Sequence, residues 1–371
     1  MNLIPYGHQW IDEADINAVL KVLKSDWLTQ GPMIDRFEKA VAKYCKAKYG
    51  VAFSSGTSAL YCAYLAVGIK AGDEVITSPL TFAATSNMLA MLWVKPVFVD
   101  IDPDTLNINP ELIERAITSK TKAIVTIDFA GHPCEYDKIL KIAKKHKLLV
   151  VEDACHALGA EYKGKKVGSF ADATVLSFHP VKHITTGEGG MVLTNNKDFY
   201  EKLKILRNHG IKKNIKKGGW YYEISEPSFN FRITDLQCAL GLSQLKKTNK
   251  FLKKRRELAK KYQKQLAGVE GLKLPVEKDY AKSARHLYPV RIARDRKKFF
   301  DYLIKNRIGA QVHYMPLHMH PFYRKKFGYK EGDFPEAEKY YEEAVSLPIF
   351  YGLTKKDFEK VIKIIRNYNA P

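Results

Sequence analysis

One lysine in this sequence stands where it could act as a nucleophile. Lys182 follows the apolar run 173–178 and a turn at Pro180, in the segment SFHPVKHITTGEGG. If that run is a strand of a parallel sheet, it delivers Lys182 to the open edge of the sheet. Desolvation there lowers the pKa of an amine and makes it nucleophilic. Taken alone, the position also suits a solvated surface lysine.

A second segment supplies a carboxylate and an imidazole. Asp153 ends the apolar run 148–153, and His156 follows in VVEDACHALGA. A carboxylate at the edge of a buried strand is costly unless it meets a cation. Asp153 is therefore a candidate to bind a positively charged group. The alternatives are that Asp153 caps the following loop and that His156 is a structural histidine.

A third segment suits a bound phosphate. In SSGTSAL, Gly56, Thr57 and Ser58 follow a strand-like run and open a helix-like one. The free backbone N–H groups at a helix start point at an anion. The alternative is an ordinary helix cap made by Thr57 or Ser58.

Together the three segments indicate one cofactor, pyridoxal 5'-phosphate. The segment from Gly56 to Ser58 would hold its phosphate, and Lys182 would form a Schiff base with it. Asp153 would keep the pyridine nitrogen protonated, so that the ring acts as an electron sink. The combination is more specific than any of its parts.

The elements that must position these residues alternate between strands and helices. Apolar runs predict strands at 49–54, 74–78, 96–100, 122–128, 148–153, 173–178 and 190–194. Helix-like stretches lie between several of them, at 57–70, 81–92, 110–117, 134–146 and 197–208. This alternation predicts an α/β fold with a mainly parallel seven-stranded sheet covered on both faces. Ligands of such sheets bind beyond the carboxyl ends of the strands.

The pattern changes near residue 230. Residues 233–268 predict one long helix or two, 286–292 predicts a strand, and 295–307 predicts a helix. We therefore divide the chain into a large domain over 1–245 and a smaller C-terminal α+β domain over 246–371.

Composition narrows the classes of protein. The chain has 371 residues, 46% of them hydrophobic, and no apolar run of about 18 residues, so we expect no membrane-spanning helix. Its start lacks the pattern of a secretory signal. Five scattered cysteines without CxxC spacing argue against a disulfide framework or a zinc site and favour the cytoplasm. The net charge of +21 would suit nucleic acid, but the lysines are spread along the chain, which favours a solvated surface.

The order of motifs resembles a known enzyme family. SGTSAL, TFAATSN, EDACHALGA, SFHPVKHITTGEGG and FNFRITDLQCALG follow one another as in the DegT/DnrJ/EryC1/StrS sugar aminotransferases. The resemblance covers essentially the whole chain. It implies the aspartate aminotransferase fold (fold type I) and pyridoxal phosphate as cofactor. It also implies that Lys182 is the catalytic Schiff-base lysine, that Asp153 pairs with the pyridine nitrogen and that His156 lies near the phenolic oxygen of the ring.

The same resemblance implies further cofactor contacts. Phe82 resembles the aromatic residue that stacks on the pyridine ring, although a core aromatic is the alternative. Thr57, Ser58 and Ser177 match phosphate-binding positions. Asn230 resembles a residue that reaches the phosphate from the neighbouring subunit, which implies a homodimer with shared active sites.

Substrate contacts are implied at the two ends of the chain. Arg232 faces the substrate or the carboxylate of the donor, or else forms an ion pair at an interface. Three histidines near the C-terminal segment are separated by prolines and lack a carboxylate cluster, so we expect no metal site. The residues that resemble the family's substrate segments are Tyr6, Asp26, Trp27, Leu28 and Thr29, and His313, Tyr314, Met315 and Pro316.

The implied reaction is a transamination of a sugar nucleotide. The segments IPYG, WLTQGP, TIDFAGHPCEYDKI, SFHPVKHITTGEGG and AQVHYMPL resemble those of family members that serve pseudaminic acid biosynthesis. They imply transfer of the amino group of L-glutamate to C4 of a UDP-linked 4-keto-6-deoxy-N-acetylhexosamine. The alternative is another nucleotide-linked 4-keto sugar, as in perosamine-type enzymes. A related sugar dehydratase would have histidine in place of Lys182, and a nucleic-acid-binding regulator would need a helix-turn-helix segment that is not visible.

Overall fold

A computed structural model describes residues 3–368 of the chain. Its strands are β1 (Tyr49–Phe53), β2 (Glu74–Thr77), β3 (Lys95–Phe98), β4 (Thr121–Ile127), β5 (Leu149–Asp153), β6 (Glu161–Tyr162), β7 (Lys165–Lys166), β8 (Ala173–Ser177), β9 (Gly190–Thr194), β10 (Ile211–Lys213), β11 (Tyr222–Ile224), β12 (Leu272–Lys273), β13 (Ala281–Lys282), β14 (Tyr288–Ile292) and β15 (Ala344–Leu347).

The helices are α1 (Glu13–Leu23), α2 (Pro32–Cys45), α3 (Gly56–Ala66), α4 (Ala84–Met91), α5 (Pro110–Ile113), α6 (Tyr136–His146), α7 (Lys197–Leu206), α8 (Asp235–Leu245), α9 (Thr248–Leu266), α10 (Arg296–Lys305), α11 (Pro321–Phe327), α12 (Pro335–Glu343) and α13 (Lys355–Arg366). Short 3₁₀ turns lie at Glu114–Ala116, Phe129–Gly131, Ile215–Lys217 and Leu317–Met319. Over the described range, no helix has the length and apolar character needed to cross a membrane.

The large sheet has seven strands in the order β1-β9-β8-β5-β4-β2-β3. β9 is antiparallel to both of its neighbours, and the pairs from β8 to β3 are parallel. The prediction of an α/β fold with a mainly parallel seven-stranded sheet is therefore confirmed. Because β5 and β8 are neighbouring parallel strands, their carboxyl ends meet at one edge of the sheet.

Both faces of this sheet are covered by helices. In β9, Val192 belongs to a core formed with α3 and α7, whereas Met191 and Leu193 belong to a core formed with α2 and α8. Successive side chains of a strand point to opposite faces, so a strand covered on both sides is apolar throughout. This explains why the strands appear in the sequence as continuous apolar runs.

A second, antiparallel sheet (β12-β14-β15) forms the C-terminal part of the fold. Side chains of α9, α10 and α13 pack on it, among them Tyr262, Phe299 and Phe358. Ile4 belongs to the same core, and its N–H donates to Arg307 O at 3.0 Å. The N-terminal segment, which we grouped with the large domain, thus packs on the C-terminal core. The domain boundary itself stays a prediction.

The stretch 233–268 forms two helices, α8 and α9, rather than one. α9 joins the two cores. Phe251 and Leu252 pack in a core of the large sheet, whereas Tyr262 and Leu266 pack in the C-terminal core. The middle of α9 therefore lies where the two parts of the fold meet.

Candidate active site

A cavity of about 710 Å³ lies at the carboxyl ends of β5 and β8. These strands bring Asp153 and Ser177 to its wall, and the loop after β8 brings Lys182. The start of α3 contributes Gly56 and Thr57. The three segments that the sequence singled out for chemistry therefore meet in one cavity.

Lys182 lies on the wall of this cavity and is partly buried. Burial lowers the pKa of Lys182. The Cys155 thiol and the Asp153 carboxylate act to raise this pKa, and the Arg255 guanidinium acts to lower it. The net shift is downward, which favours the neutral amine. A neutral amine is the form that can act as a nucleophile or a base.

Asp153 is held by hydrogen bonds to both carboxylate oxygens. Thr85 Oγ1 donates to Oδ2 at 2.7 Å, and the Cys155 N–H donates to Oδ1 at 3.2 Å. The Thr81 and Thr85 hydroxyls are 2.8 Å apart. Because the single proton of the Thr85 hydroxyl goes to Asp153, Thr81 donates to Thr85. A chain of two buried hydroxyls therefore orients the carboxylate.

Sequence reasoning missed Thr81 and Thr85, although it used the motif TFAATSN for Phe82. The available signal was their spacing of four residues at the start of a helix-like run, which places two side chains on one face. It also missed His286, at the start of the segment HLYPVRI, which lines the cavity.

Some hydroxyl groups at the start of α3 cap the helix, and others line the cavity. Ser55 is the N-cap: the Ser58 N–H donates to Ser55 Oγ at 3.1 Å, and the Ser55 N–H donates to Ser58 Oγ at 3.0 Å. Ser58 is buried in this capping box. The cavity wall is formed by Ser55, Gly56 and Thr57, and Ser58 is not part of it. The structure thus places Thr57 on the cavity wall and Ser58 in the cap.

The glycines around this helix start allow an unusually close approach of backbone. A Cβ added to Gly56 would lie 3.2 Å from Ser177 Cβ, and one added to Gly190 would lie 2.4 Å from Ser55 O. Glycine at these two positions therefore lets the ends of β8 and β9 pack directly against the start of α3. The amine of Lys182, the carboxylate of Asp153 and the helix start at Gly56 line one cavity. These groups suit the aldehyde, the pyridine nitrogen and the phosphate of pyridoxal phosphate.

Buried imidazoles form another part of the cavity wall. The Tyr314 hydroxyl lies 3.3 Å from His156 Nε2, and His156 Nδ1 has no hydrogen-bond partner among the described residues. The His286 ring centroid is 4.4 Å from that of His156. Burial lowers the pKa of both histidines well below the usual range, so both rings are neutral. The unpaired nitrogen of His156 is a polar contact that a ligand such as the expected cofactor can use.

Some of the predicted substrate residues line the same cavity. The ring centroids of Tyr6 and His313 are 5.2 Å apart, and those of Phe82 and Tyr314 are 5.8 Å apart. Phe82 is 58% exposed, so it is not a core aromatic. Met315 and Pro316 are not among the residues of the cavity wall.

The other predicted residues lie together on an exposed surface outside the cavity of their own chain. The Asn230 Oδ1 accepts from the Arg232 N–H at 3.2 Å, and the Arg232 side chain donates to Asn208. The strip Asp26, Trp27, Leu28 and Thr29 is exposed, and Leu28 O accepts from the Asp235 N–H at 3.0 Å. The structure therefore brings the N-terminal strip next to the NFR segment, and neither is part of the wall of the cavity that contains Lys182.

The histidines near the C-terminal segment have other partners. His313 Nδ1 lies 2.9 Å from Ser346 Oγ, and His318 Nε2 lies 2.7 Å from Glu338 Oε1. From residue 3 to residue 368, no group of three or more His, Cys, Asp or Glu side chains is arranged to hold a metal ion.

Comparison with known proteins connects this site to an enzyme family. The sequence profile of the DegT/DnrJ/EryC1/StrS aminotransferase family matches residues 9–366. An uncharacterized protein of Methanocaldococcus jannaschii is 49% identical, over 98% of this chain and 97% of its own. The UDP-4-amino-4,6-dideoxy-N-acetyl-β-L-altrosamine transaminase of Campylobacter jejuni is 42% identical, over 96% of this chain and 94% of its own.

A solved structure gives the same result. Helicobacter pylori PseC, an aminotransferase involved in the biosynthesis of pseudoaminic acid, has a TM-score of 0.94 and 37% sequence identity, and 98% of each chain is covered. The chain therefore belongs to the DegT/DnrJ/EryC1/StrS aminotransferase family, whose members are pyridoxal phosphate enzymes.

Proposed function

We propose that this protein transfers the amino group of L-glutamate to C4 of UDP-2-acetamido-2,6-dideoxy-β-L-arabino-hexos-4-ulose. The product would be UDP-4-amino-4,6-dideoxy-N-acetyl-β-L-altrosamine, for pseudaminic acid synthesis. The observation that carries the proposal is the convergence of Lys182, Asp153 and the start of α3 on one cavity. The names of the relatives from C. jejuni and H. pylori support the choice of substrate.

The residues of the cavity divide the binding of the cofactor among them. Lys182 would hold the aldehyde carbon, Asp153 the pyridine nitrogen, and Gly56, Thr57 and Ser177 the phosphate. Bound there, pyridoxal phosphate supplies an electron sink for the carbon that gains or loses the amino group. The hydroxyl of Thr85 fixes the direction in which the Asp153 carboxylate faces.

Lys182 is placed to move protons in both halves of the reaction. Its Nζ must be uncharged to accept the proton from the α-carbon of glutamate, and burial lowers its pKa in that direction. In the first half the same Nζ would pass that proton to the carbon of the cofactor that carries the amino group, and in the second half it would take a proton from there and deliver it to C4 of the sugar. The side chains of Phe82, Tyr314 and His156 line the same cavity as Lys182.

We also propose that the enzyme is a cytoplasmic homodimer with shared active sites. Asn230 and Arg232 lie outside the cavity of their own chain, on a surface with exposed apolar side chains: Trp27 is 55% and Phe229 is 59% exposed. Exposed apolar surface of this kind marks protein–protein contacts. The neighbouring basic hairpin β10–β11, with Trp220 80% exposed, would extend the same contact. The five free cysteines agree with a reducing compartment.

The activity is tested with purified protein, pyridoxal phosphate, L-glutamate and a panel of UDP-, GDP- and dTDP-linked 4-keto sugars. We expect turnover with the UDP-linked N-acetyl sugar and formation of 2-oxoglutarate in equal amount. Turnover only with a GDP- or dTDP-linked sugar would contradict the substrate and favour the perosamine-type alternative. Substituting L-glutamine for L-glutamate tests the donor.

The role of Lys182 is tested by Lys182→Ala. The variant should lose turnover and the absorbance of lysine-bound cofactor, while its circular dichroism stays that of the wild type. If the absorbance survives, another lysine binds the cofactor and the site assignment is wrong.

Sharing of the active site is tested by mixing subunits. Lys182→Ala and Asn230→Ala chains each carry one defect, and a mixed dimer joins an intact Lys182 with an intact Asn230 from the other chain. Unfolding and refolding the two variants together should restore about a quarter of wild-type activity, because half of the dimers are mixed and have one complete site. Absence of any recovery would contradict a shared site.

A further inference from the structure

Arg255 is a buried arginine in the middle of α9, where that helix passes from one core to the other. Leu252 belongs to a core of the large sheet, and Leu258 to the C-terminal core. The Arg255 side chain is only 2% exposed, and among residues 3–368 it has no acidic partner within ion-pair distance. A buried charge without an opposite charge is costly, so its contacts must compensate in another way.

These contacts are backbone carbonyl groups. Nη1 donates to Ile349 O at 2.6 Å, to His286 O at 3.2 Å and to Arg285 O at 3.4 Å, and Nη2 donates to Val181 O at 3.4 Å. Val181 directly precedes Lys182. The other carbonyls lie just before β14 and just after β15. One guanidinium thus ties the loop that carries the lysine to the segment before β14 and the segment after β15.

Arg255 also shares a small cavity with Lys182. Both residues line this cavity of about 10 Å³, together with His183 and Phe251. Burial lowers the pKa of Arg255 to about 10, so the guanidinium is still charged at neutral pH. A fixed positive charge opposes the protonation of a nearby amine.

Burial is the largest cause of the lowered pKa of Lys182, and Arg255 is the charged group that acts in the same direction. The Asp153 carboxylate and the Cys155 thiol act in the opposite direction on the pKa of Lys182. Burial lowers the pKa of each neighbouring imidazole, so these rings carry no charge at neutral pH. The imidazoles concerned are those of His156, His183, His286 and His313.

We propose that Arg255 is a positioning residue for Lys182, which fixes the backbone next to the lysine against the segments that flank β14 and β15 and places a fixed positive charge near its amine. This inference rests on the proposed function, since it concerns the reactivity of the lysine assigned there. Arginine suits the task better than lysine, because its planar guanidinium donates from two terminal nitrogens to carbonyls on separate segments.

The test compares Arg255→Gln, which removes the charge, with Arg255→Lys, which keeps the charge but loses the two terminal nitrogens of the guanidinium. Arg256→Gln is the matched control. Arg256 is the next residue of α9 and also donates to backbone carbonyls, to Ser283 O at 2.8 Å and to Gly159 O at 3.1 Å. It does not act on the pKa of Lys182.

The main measurement is the labelling of Lys182 in the full chain freed of cofactor. An amine-acylating reagent is applied across a pH series, and the labelled peptide is quantified by mass spectrometry. Arg255→Gln should move the labelling midpoint to higher pH and lower the rate below the midpoint by about fivefold. Arg255→Lys and Arg256→Gln should keep the wild-type midpoint. An unchanged midpoint in folded Arg255→Gln, or an equal shift in Arg256→Gln, would overturn the electrostatic role.

Steady-state kinetics test the role in positioning. Arg255→Lys should lower kcat by about tenfold with little change in KM, because the loop of Lys182 loses an anchor. If Arg255→Gln does not fold, the kinetics of Arg255→Lys test the proposal instead, and a wild-type kcat in Arg255→Lys would overturn it. If the labelling midpoint shifts in Arg255→Gln but the wild type turns over no keto sugar, the proposed function alone is wrong. If the wild type turns over the keto sugar but the midpoint does not shift in Arg255→Gln, this inference alone is wrong.

Discussion

Replacing Thr85 with valine tests whether the hydroxyl chain behind Asp153 serves catalysis. Thr85 is fully buried, and its hydroxyl donates to Asp153 Oδ2 at 2.7 Å. Valine has nearly the same shape, so the variant removes one donor from the carboxylate without opening a cavity. A hydrogen bond to a charged group contributes about 1.5–3 kcal/mol, so we expect kcat/KM to fall by roughly ten- to a hundredfold.

The assay is steady-state kinetics with the keto sugar and L-glutamate, with thermal stability and cofactor affinity measured on the same preparations. Thr85→Ser should restore most of the activity, and Thr81→Val, one step further from the carboxylate, should lose less than Thr85→Val. Thr77→Val is the matched control, because Thr77 is equally buried but its hydroxyl has no hydrogen-bond partner among the described residues. Wild-type kcat/KM in Thr85→Val, or an equal loss in Thr77→Val, would refute the reasoning.

Three further predictions concern the surroundings of the site. Burial raises the pKa of both Asp128 and Glu152. The folded state therefore favours their protonated forms, so their contribution to the free energy of unfolding is complete below the unfolded pKa of about 4 and is lost as the pH rises through the higher pKa of the folded state. Glu152→Gln should therefore melt at a higher temperature than the wild type by a margin that grows from about pH 5 to about pH 9, and a constant margin would contradict this. Gly190→Ala brings a Cβ to 2.4 Å from Ser55 O, so the absorbance of bound cofactor should be lost or strongly reduced. Ser58→Ala removes half of the capping box and should lower the free energy of unfolding in urea by about 1 kcal/mol, with KM unchanged.

The convergence of the catalytic groups could be predicted from the sequence because it follows from local patterns. Continuous apolar runs precede Asp153 and Lys182, and such runs indicate buried parallel strands. Since parallel strands end at a common edge, residues that follow them meet there. The meeting of Asp153, Ser177 and Lys182 at one cavity agrees with that expectation.

Finer assignments depended on details that a pattern does not contain. The segment SSGTS offers several hydroxyls at a helix start, and a shift of one residue in the first turn changes which of them caps the helix. In the structure Ser55 and Ser58 form the cap, and Thr57 faces the cavity. Similarly, no local signal places Ile4 in the core of the C-terminal sheet, because that contact joins distant parts of the chain.

The clearest case is the pair Arg255 and Arg256. By itself the sequence determined that they lie on a basic helix, which is typical of a solvated surface. Only the tertiary structure decided that Arg255 is buried against the backbone next to Lys182, because its partners are carbonyls of Val181 and Ile349, 74 and 94 residues away. Every residue has a carbonyl group, so the sequence contains no sign of which carbonyls will lack a partner until the strands and loops have packed.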